Sequence, residues 1–176
     1  FPGSPDARPV VVAVPVNLRK AFPSRTLRNF FGVVNVDAGS AGPAGVPSLE
    51  ELIPGVKAAL EDRTRTERLQ AMIASQVRLS SGGGLVPWHL KSLLMQLGFE
   101  LWGENKKTLS LWNLGAVAMP ASMRAHVEHL EVVLYPTPKS PINCAVCSLG
   151  DRLTVSFSRT IEEADVLRAF FSYLAK

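Results

Sequence analysis

The sequence lacks any uninterrupted apolar run of the roughly 18 residues that a transmembrane helix needs. It also shows no positively charged segment followed by an apolar one at its amino end, which is the pattern of a secretory signal peptide. We therefore expect no membrane span and a cytoplasmic protein.

Cysteine and histidine are scarce, with two and three residues among 176. Cys144 and Cys147 lie three positions apart in a strand-like stretch, so their side chains should point to opposite faces. His126 and His129 have no third ligand at a suitable spacing, and no second Cys/His pair completes a tetrahedral zinc site. We expect no metal site and two reduced thiols packed in or under a sheet.

Acidic residues are absent between Arg8 and Asp37, although the net charge of the whole chain is only +4. This interval carries four cationic residues that follow an apolar run: Arg19, Lys20, Arg25 and Arg28. A dense stripe of Lys and Arg, as in nucleic-acid-binding proteins, is missing, so we expect no nucleic-acid partner. The local excess of positive charge instead predicts a negative partner near this segment.

Hydrophobic residues make up 47% of the chain and charged residues 19%, which suffices for a sizeable core in one domain. Alternation and short β-branched runs predict strands, and apolar spacings of 3, 4 and 7 predict helices. The predicted strands cover 10–18, 30–37, 108–115, 129–136, 142–150 and 151–158, and the helical regions are 49–79, 87–102 and 161–174. We predict an α+β fold, a two-layer sandwich with a mixed sheet and helices on one face, as a single domain over residues 1–176.

Local signals refine these elements. Ser48 with Glu51, and Thr160 with Glu163, have the spacing of helix capping boxes. Pro54 predicts a kink or break in the first helix. The dipeptide 150–151 predicts a tight hairpin turn. In the helix over 87–102, the apolar periodicity predicts a buried side formed by Leu90, Leu93, Leu94 and Leu97.

Several short blocks, in order and spacing, resemble the carboxyl-terminal half of alcohol acetyltransferase-like proteins. This group is related to the condensation domains of peptide synthetases and belongs to the chloramphenicol acetyltransferase-like superfamily. The blocks are Pro15-Val16-Asn17-Leu18-Arg19, Phe22-Pro23-Ser24, Leu27, Asn29-Phe30-Phe31-Gly32, Val86-Pro87, Leu90-Lys91, Asn113-Leu114-Gly115, Met119-Pro120, Met123, Ile142-Asn143 and Ala169-Phe170-Phe171. They extend over nearly the whole chain.

The resemblance implies a two-lobed acyltransferase whose other, amino-terminal lobe carries a His-His-x-x-x-Asp motif. None of the three histidines of this chain stands in such a motif. The chain would then be inactive alone. With its missing lobe, it would move an acyl group from a thioester of coenzyme A or a carrier protein to a small alcohol or amine, with no tightly bound cofactor.

The resemblance also implies roles for individual residues. Arg19 would brace the motif Asp of the other lobe, and Asn113 would lie near the reacting carbonyl, although Trp112 replaces the small hydroxyl residue expected before it. Arg25 and Arg28 are weaker candidates for binding the phosphates of coenzyme A. The same cations could instead face acidic groups of the missing lobe, or be solvated surface residues.

A different class of function stays open beside this one. A fold can host unrelated functions, so the chain could be a non-catalytic module that binds a partner or assembles with itself.

Overall fold

The computed structural model describes residues 9–39, 47–82, 87–102, 107–137 and 140–175. The strands within these ranges are β1 (Val11–Asn17), β2 (Phe31–Asp37), β3 (Leu109–Ala116), β4 (Ile142–Leu149) and β5 (Arg152–Arg159). The helices are α1 (Leu49–Arg63), α2 (Thr66–Gly82), α3 (Trp88–Trp102), α4 (Ala121–Arg124) and α5 (Asp165–Leu174), with a 3-10 helix at Leu18–Lys20. The fold is α+β, as predicted.

Two compact units meet in sequence between Lys107 and Thr108. The first contains β1, β2 and helices α1 to α3, and the second contains β3 to β5 with α4 and α5. The prediction of a single domain stays a prediction.

In the first unit, β1 and β2 form an antiparallel pair that runs from Val11 opposite Asp37 to Asn17 opposite Phe31. Residues along β2 alternate between exposed and buried, which is the period-two pattern of a strand covered on one face. The core is centred on Leu18, Val34 and Leu69. Leu69 brings α2 into this core.

The start of α1 follows the sequence prediction. Ser48 Oγ accepts from Glu51 N at 3.3 Å, and Glu51 Oε2 accepts from Ser48 N at 2.9 Å, which completes the capping box. The helix continues through Pro54, so of the predicted kink or break the break does not occur. Pro54 removes one N–H donor near the exposed start of the helix, where water can satisfy the freed carbonyl of Glu50.

In the second unit, β4 is the central strand, parallel to β3 and antiparallel to β5. The resulting mixed sheet agrees with the prediction. The β4–β5 hairpin turns at Gly150 and Asp151, between the paired residues Leu149 and Arg152. Gly150 has φ +66° and Asp151 does not have a positive φ, which is the pattern of a type II′ turn.

The strand predicted at 129–136 is wrong, because the structure has no strand there. Both edges of β4 are already paired with β3 and β5. Two carbonyls of the segment accept from side chains of β4 instead: Leu130 O from Cys147 Sγ at 3.5 Å, and Tyr135 O from Asn143 Nδ2 at 3.1 Å. These two carbonyls are therefore satisfied outside a backbone ladder.

The capping box predicted at Thr160 and Glu163 is also wrong. Helix α5 begins at Asp165, and its N-cap residue Ala164 makes no side-chain capping bond. Arg159 Nη1 donates to the carbonyls of Ile161 and Glu162. This arginine therefore stabilises the segment that leads into α5. Aromatic packing attaches α5 to the sheet, since the ring of Phe157 lies 5.0 Å from Phe170 and 5.7 Å from Phe171, both edge to face.

Helix α3 differs from the prediction in its packing. The four leucines predicted to form its buried side are each about half exposed, at 46% to 55% of their reference areas: Leu90, Leu93, Leu94 and Leu97. The periodicity correctly indicated a helix, but this apolar side is half exposed and not buried.

The turn glycine Gly150 provides a test of the second unit. An alanine at this position would have to keep the left-handed φ of Gly150, and its Cβ atom would lie 2.6 Å from Arg124 Nη2. Arg124 also donates through Nη1 to Val127 O at 3.0 Å, so its displacement disturbs that turn as well. We expect Gly150→Ala to lower the free energy of unfolding by about 1–2 kcal/mol in urea titrations.

Gly55 is the matched control, because nothing lies within 4 Å of a Cβ added there and it sits in helix α1. Gly55→Ala should stabilise the chain by roughly 0.5–1 kcal/mol. Equal unfolding midpoints for Gly150→Ala and the wild type would contradict the role of the turn.

Candidate functional site

The end of β1 holds Arg19 in a defined position. The strand ends at Asn17, whose Oδ1 accepts from Arg19 N at 3.0 Å and thereby caps the 3-10 helix. Leu18 is buried in the core of the first unit, while Arg19 is half-buried beside it. The buried leucine therefore anchors the backbone that carries the arginine.

The guanidinium group of Arg19 ties this position to the returning chain. Its Nη2 donates to Thr26 O at 2.9 Å and to Arg28 O at 2.7 Å, and its Cζ lies 5.8 Å from the centre of the Phe30 ring. Both N–H groups of Nη2 are thus used by backbone carbonyls. No sequence pattern predicts this role, because the acceptors are main-chain atoms and do not depend on residue type.

The segment 24–28 has further local hydrogen bonds. Thr26 N donates to Ser24 Oγ at 3.3 Å, and Arg28 N donates to Thr26 Oγ1 at 3.2 Å. Such short-range side-chain contacts replace backbone pairing in a turn. Together with the Arg19 contacts they fix the backbone of this connection.

The other cations of the segment lie on its surface. Lys20, Arg25 and Arg28 are exposed, and in the ranges that the structure describes no ion pair joins any of the four cations to a carboxylate. Arg28 contacts Arg19 through its own main-chain carbonyl, which accepts a hydrogen bond from Arg19 Nη2. The predicted excess of positive charge is therefore not neutralised by described residues.

Asn113 lies at an irregularity of β3. The register between β3 and β4 shifts between Asn113 and Gly115, and Gly115 has φ +69°. Asn113 Oδ1 accepts from Gly115 N at 2.9 Å, while the residue as a whole is exposed. The side-chain oxygen thus stabilises the bulge, while the NH₂ group takes no part in that hydrogen bond.

A buried polar chain crosses the second unit and was not predicted. Ser110 Oγ lies 3.2 Å from Ser140 Oγ, which donates to Asn143 Oδ1 at 2.9 Å. All three residues are buried, and Asn143 Nδ2 extends the network by donating to Tyr135 O. Because each of these links satisfies a polar group that burial would otherwise penalise, the network fixes β3, β4 and the segment beside them.

The two cysteines are free and buried, as expected for structural thiols. Burial raises the pKa of the Cys144 thiol above its usual value. No cluster of three or more His, Cys, Asp or Glu side chains that could hold a metal occurs within the described residues. His129 Nε2 instead lies 3.6 Å from Glu131 Oε1 on the surface.

The chain matches no protein-family model, and no curated protein or solved structure shows significant similarity to it. Within the part of the chain that the structure describes, no helix is long and apolar enough to cross a membrane.

The raised pKa of Cys144 predicts a pH dependence of stability. An unfolded thiol ionises near pH 8.5, whereas the folded thiol keeps its proton to higher pH. Above about pH 8.5 the unfolded state therefore binds fewer protons, and stability should fall. Urea titrations at pH 7 and pH 9.5 should show a decrease that is up to about 1 kcal/mol smaller in Cys144→Ala than in the wild type.

The comparison is between pH values within each variant, so any loss of packing in Cys144→Ala cancels. An identical decrease in both proteins would show that Cys144 does not contribute.

Proposed function

We propose that this chain is the carboxyl-terminal lobe of an acyltransferase with a chloramphenicol acetyltransferase-like fold, a two-layer sandwich. The reaction moves an acyl group from a thioester of coenzyme A or a carrier protein to an alcohol or amine. The observation that carries the proposal is Arg19, which is held in place at the end of β1 and has no carboxylate partner among the described residues.

Arg19 suits the bracing of an aspartate from a second lobe. Its Nη2 is occupied by the carbonyls of Thr26 and Arg28, so a carboxylate has the Nε and Nη1 donors left to it. This geometry favours charge-assisted hydrogen bonds from those atoms over a paired grip that includes Nη2. Because the guanidinium is already fixed by its own chain, it loses little conformational freedom when it binds.

In the proposed reaction, the second histidine of the motif on the other lobe is the general base. It takes the proton of the acceptor hydroxyl or amine, which attacks the thioester carbonyl, and the thiolate leaves after an oxyanion intermediate. Arg19 positions the motif through its aspartate and does not touch the reacting atoms.

Asn113 is the candidate donor to the oxyanion. Its oxygen is bound to Gly115 N, which orients the amide so that Nδ2 remains as a donor at an exposed bulge. A preorganised donor of this kind stabilises negative charge without rearranging during the reaction. Trp112, before it, is half-buried and supplies no hydroxyl group.

The surface of the chain supports an association with another lobe. The leucines of α3 are about half exposed, as are Phe31 and Val33 on the open face of β2. Exposed apolar side chains that share one face of an element can form an interaction site. The exposed Arg25 and Arg28 have no carboxylate partner among the described residues and are the candidate contacts for coenzyme A phosphates.

The same apolar surface favours a second candidate, a non-catalytic module that binds a protein partner. This alternative requires no general base, and none of the chain's histidines lies in the His-His-x-x-x-Asp motif. The two candidates differ in whether the chain supports acyl transfer when it is joined to a lobe that carries the motif.

The test is release of free thiol from acetyl-coenzyme A in the presence of an alcohol, measured with the two-lobed protein and with this chain alone. We expect turnover only in the two-lobed protein. Arg19→Ala should lower kcat by roughly tenfold to a hundredfold. Arg19→Lys should recover only part of it, because one ammonium group cannot replace the guanidinium at both the two carbonyls and the carboxylate.

Arg152→Ala is the matched control, since Arg152 is exposed at the hairpin of the second unit. Circular dichroism and unfolding midpoints check that Arg19→Ala, which also loses the two carbonyl contacts, remains folded. Absence of turnover in the two-lobed protein, with coenzyme A and carrier-protein thioesters and with alcohols and amines, would exclude the acyltransferase and leave the binding module. Turnover by this chain alone would contradict the assignment as a lobe without its base.

A further inference from the structure

Residues 128–135, which we call the unpaired segment, have main-chain groups without partners. Among the described residues, none accepts a hydrogen bond from a main-chain N–H group of this segment, and only its carbonyls at Leu130 and Tyr135 accept one. Just before it, Val127 N still donates to Arg124 O at 3.4 Å. Folded chains normally pair these strong donors and acceptors, so a row of this length indicates a missing main-chain partner.

The unpaired segment follows the course of a β-strand. Leu130 O contacts the side chain of Cys147 and Tyr135 O that of Asn143, so the segment runs antiparallel to β4 across one of its faces. Those two β4 residues lie about 13 Å apart in a strand, whereas five residues of helix rise only about 7.5 Å. Exposed and half-buried residues also alternate along the segment: Glu131, Val132, Val133, Leu134 and Tyr135.

The chemistry of these groups specifies another strand as their partner. Successive N–H groups of a strand point to opposite edges, so each edge carries a row of donors and acceptors. A second main chain in strand conformation matches such a row, whereas a single side chain or a small ligand satisfies only one or two of its groups. Strand β4 cannot be this partner, because β3 and β5 already pair with its two edges.

The exposed side chains of the unpaired segment are complementary to themselves. In an antiparallel pair centred on Val133, the two valines face each other, and Glu131 of each copy faces Tyr135 of the other. No carboxylate then opposes another, and the tyrosine hydroxyl can donate to the carboxylate. The pairing also covers Val133 and Tyr135, which are 75% and 88% exposed in the single chain.

We propose that the unpaired segment is a dimerisation strand, which pairs antiparallel about Val133 with the same segment of a second copy of this chain. The pairing has two-fold symmetry, so one patch supplies both sides of the interface. It uses only groups of the second unit and does not rest on the proposed acyl transfer. The strand that the sequence predicts at 129–136 would then form in the dimer.

Sedimentation velocity and hydrogen–deuterium exchange of this chain, at about 1 µM and about 200 µM, test the proposal. At the higher concentration we expect a species of twice the mass of the 19.1 kDa chain. The amides of the unpaired segment should then exchange at least about tenfold more slowly than at the lower concentration, because they have gained acceptors.

Proline substitutions test the main-chain ladder. Because adjacent N–H groups point to opposite edges, one of Val132→Pro and Val133→Pro removes a ladder donor and should raise the dimer dissociation constant at least about tenfold. Val133→Thr is the matched control, since it keeps the N–H group and the β-branched shape and should dimerise nearly as the wild type does. Unfolding midpoints check that the variants stay folded.

A change of charge tests the pairing about Val133. Tyr135→Glu places two carboxylates opposite each other and should weaken the dimer at least about tenfold at low salt, with a smaller effect at high salt. Adding Glu131→Lys should restore association. Tyr173→Glu, at a tyrosine of α5 that is 61% exposed, is the control and should leave the dimer unchanged.

A chain that stays monomeric at the higher concentration would overturn the proposal, as would a dimer that survives both proline variants or is indifferent to Tyr135→Glu. A dimer that protects the amides of α3 and leaves those of the unpaired segment unchanged would also overturn it, in favour of the exposed leucines of that helix. Thiol release is measured separately, so the proposed function stands or falls independently.

Discussion

Two hydrogen bonds from the guanidinium of Arg19 to the carbonyls of Thr26 and Arg28 determine how β1 returns into β2. The connection contains no strand or long helix of its own. Its shape depends on this side chain, on two short hydroxyl contacts, and on the backbone hydrogen bonds from Phe22 N to Leu18 O and from Leu18 N to Phe30 O. Through these contacts Arg19 holds the backbone on both sides of the exposed Leu27 and keeps its own guanidinium group in place. The proposed contact with a second lobe depends on this arrangement.

The distribution of buried and exposed apolar side chains is also compatible with association with another lobe. Buried residues are concentrated in the Leu18–Val34–Leu69 core and along β4, while the leucines of α3 and one face of β2 stay half exposed. Burying an exposed leucine side chain is favourable by about 1.5–3 kcal/mol. Covering these faces by association would therefore be favourable. A chain that binds another lobe would have this character, and so would a binding module.

The sequence predicted elements more reliably than their surroundings. Period and capping residues correctly indicated β1, β2, the start of α1, the helix over 88–102 and the β4–β5 turn. Alternation failed at 129–136, because a segment that packs beside β4 through the side chains of Asn143 and Cys147 can have the same alternating sequence as a strand. Periodicity also placed the leucines of α3 on one side without showing whether anything covers them. For Arg19, the resemblance implied a carboxylate partner, which stays a prediction, and no feature of the sequence indicated its bonds to two main-chain carbonyls.

A double-mutant cycle between Arg19 and the aspartate of the His-His-x-x-x-Asp motif tests the central claim most directly. The measured quantity is kcat/KM for acyl transfer by the two-lobed protein, with Arg19→Ala, the motif Asp→Ala, and both together. If Arg19 braces that aspartate, the two changes overlap, and the coupling energy is at least about 1 kcal/mol. Additive losses, with a coupling energy near zero, would contradict the account.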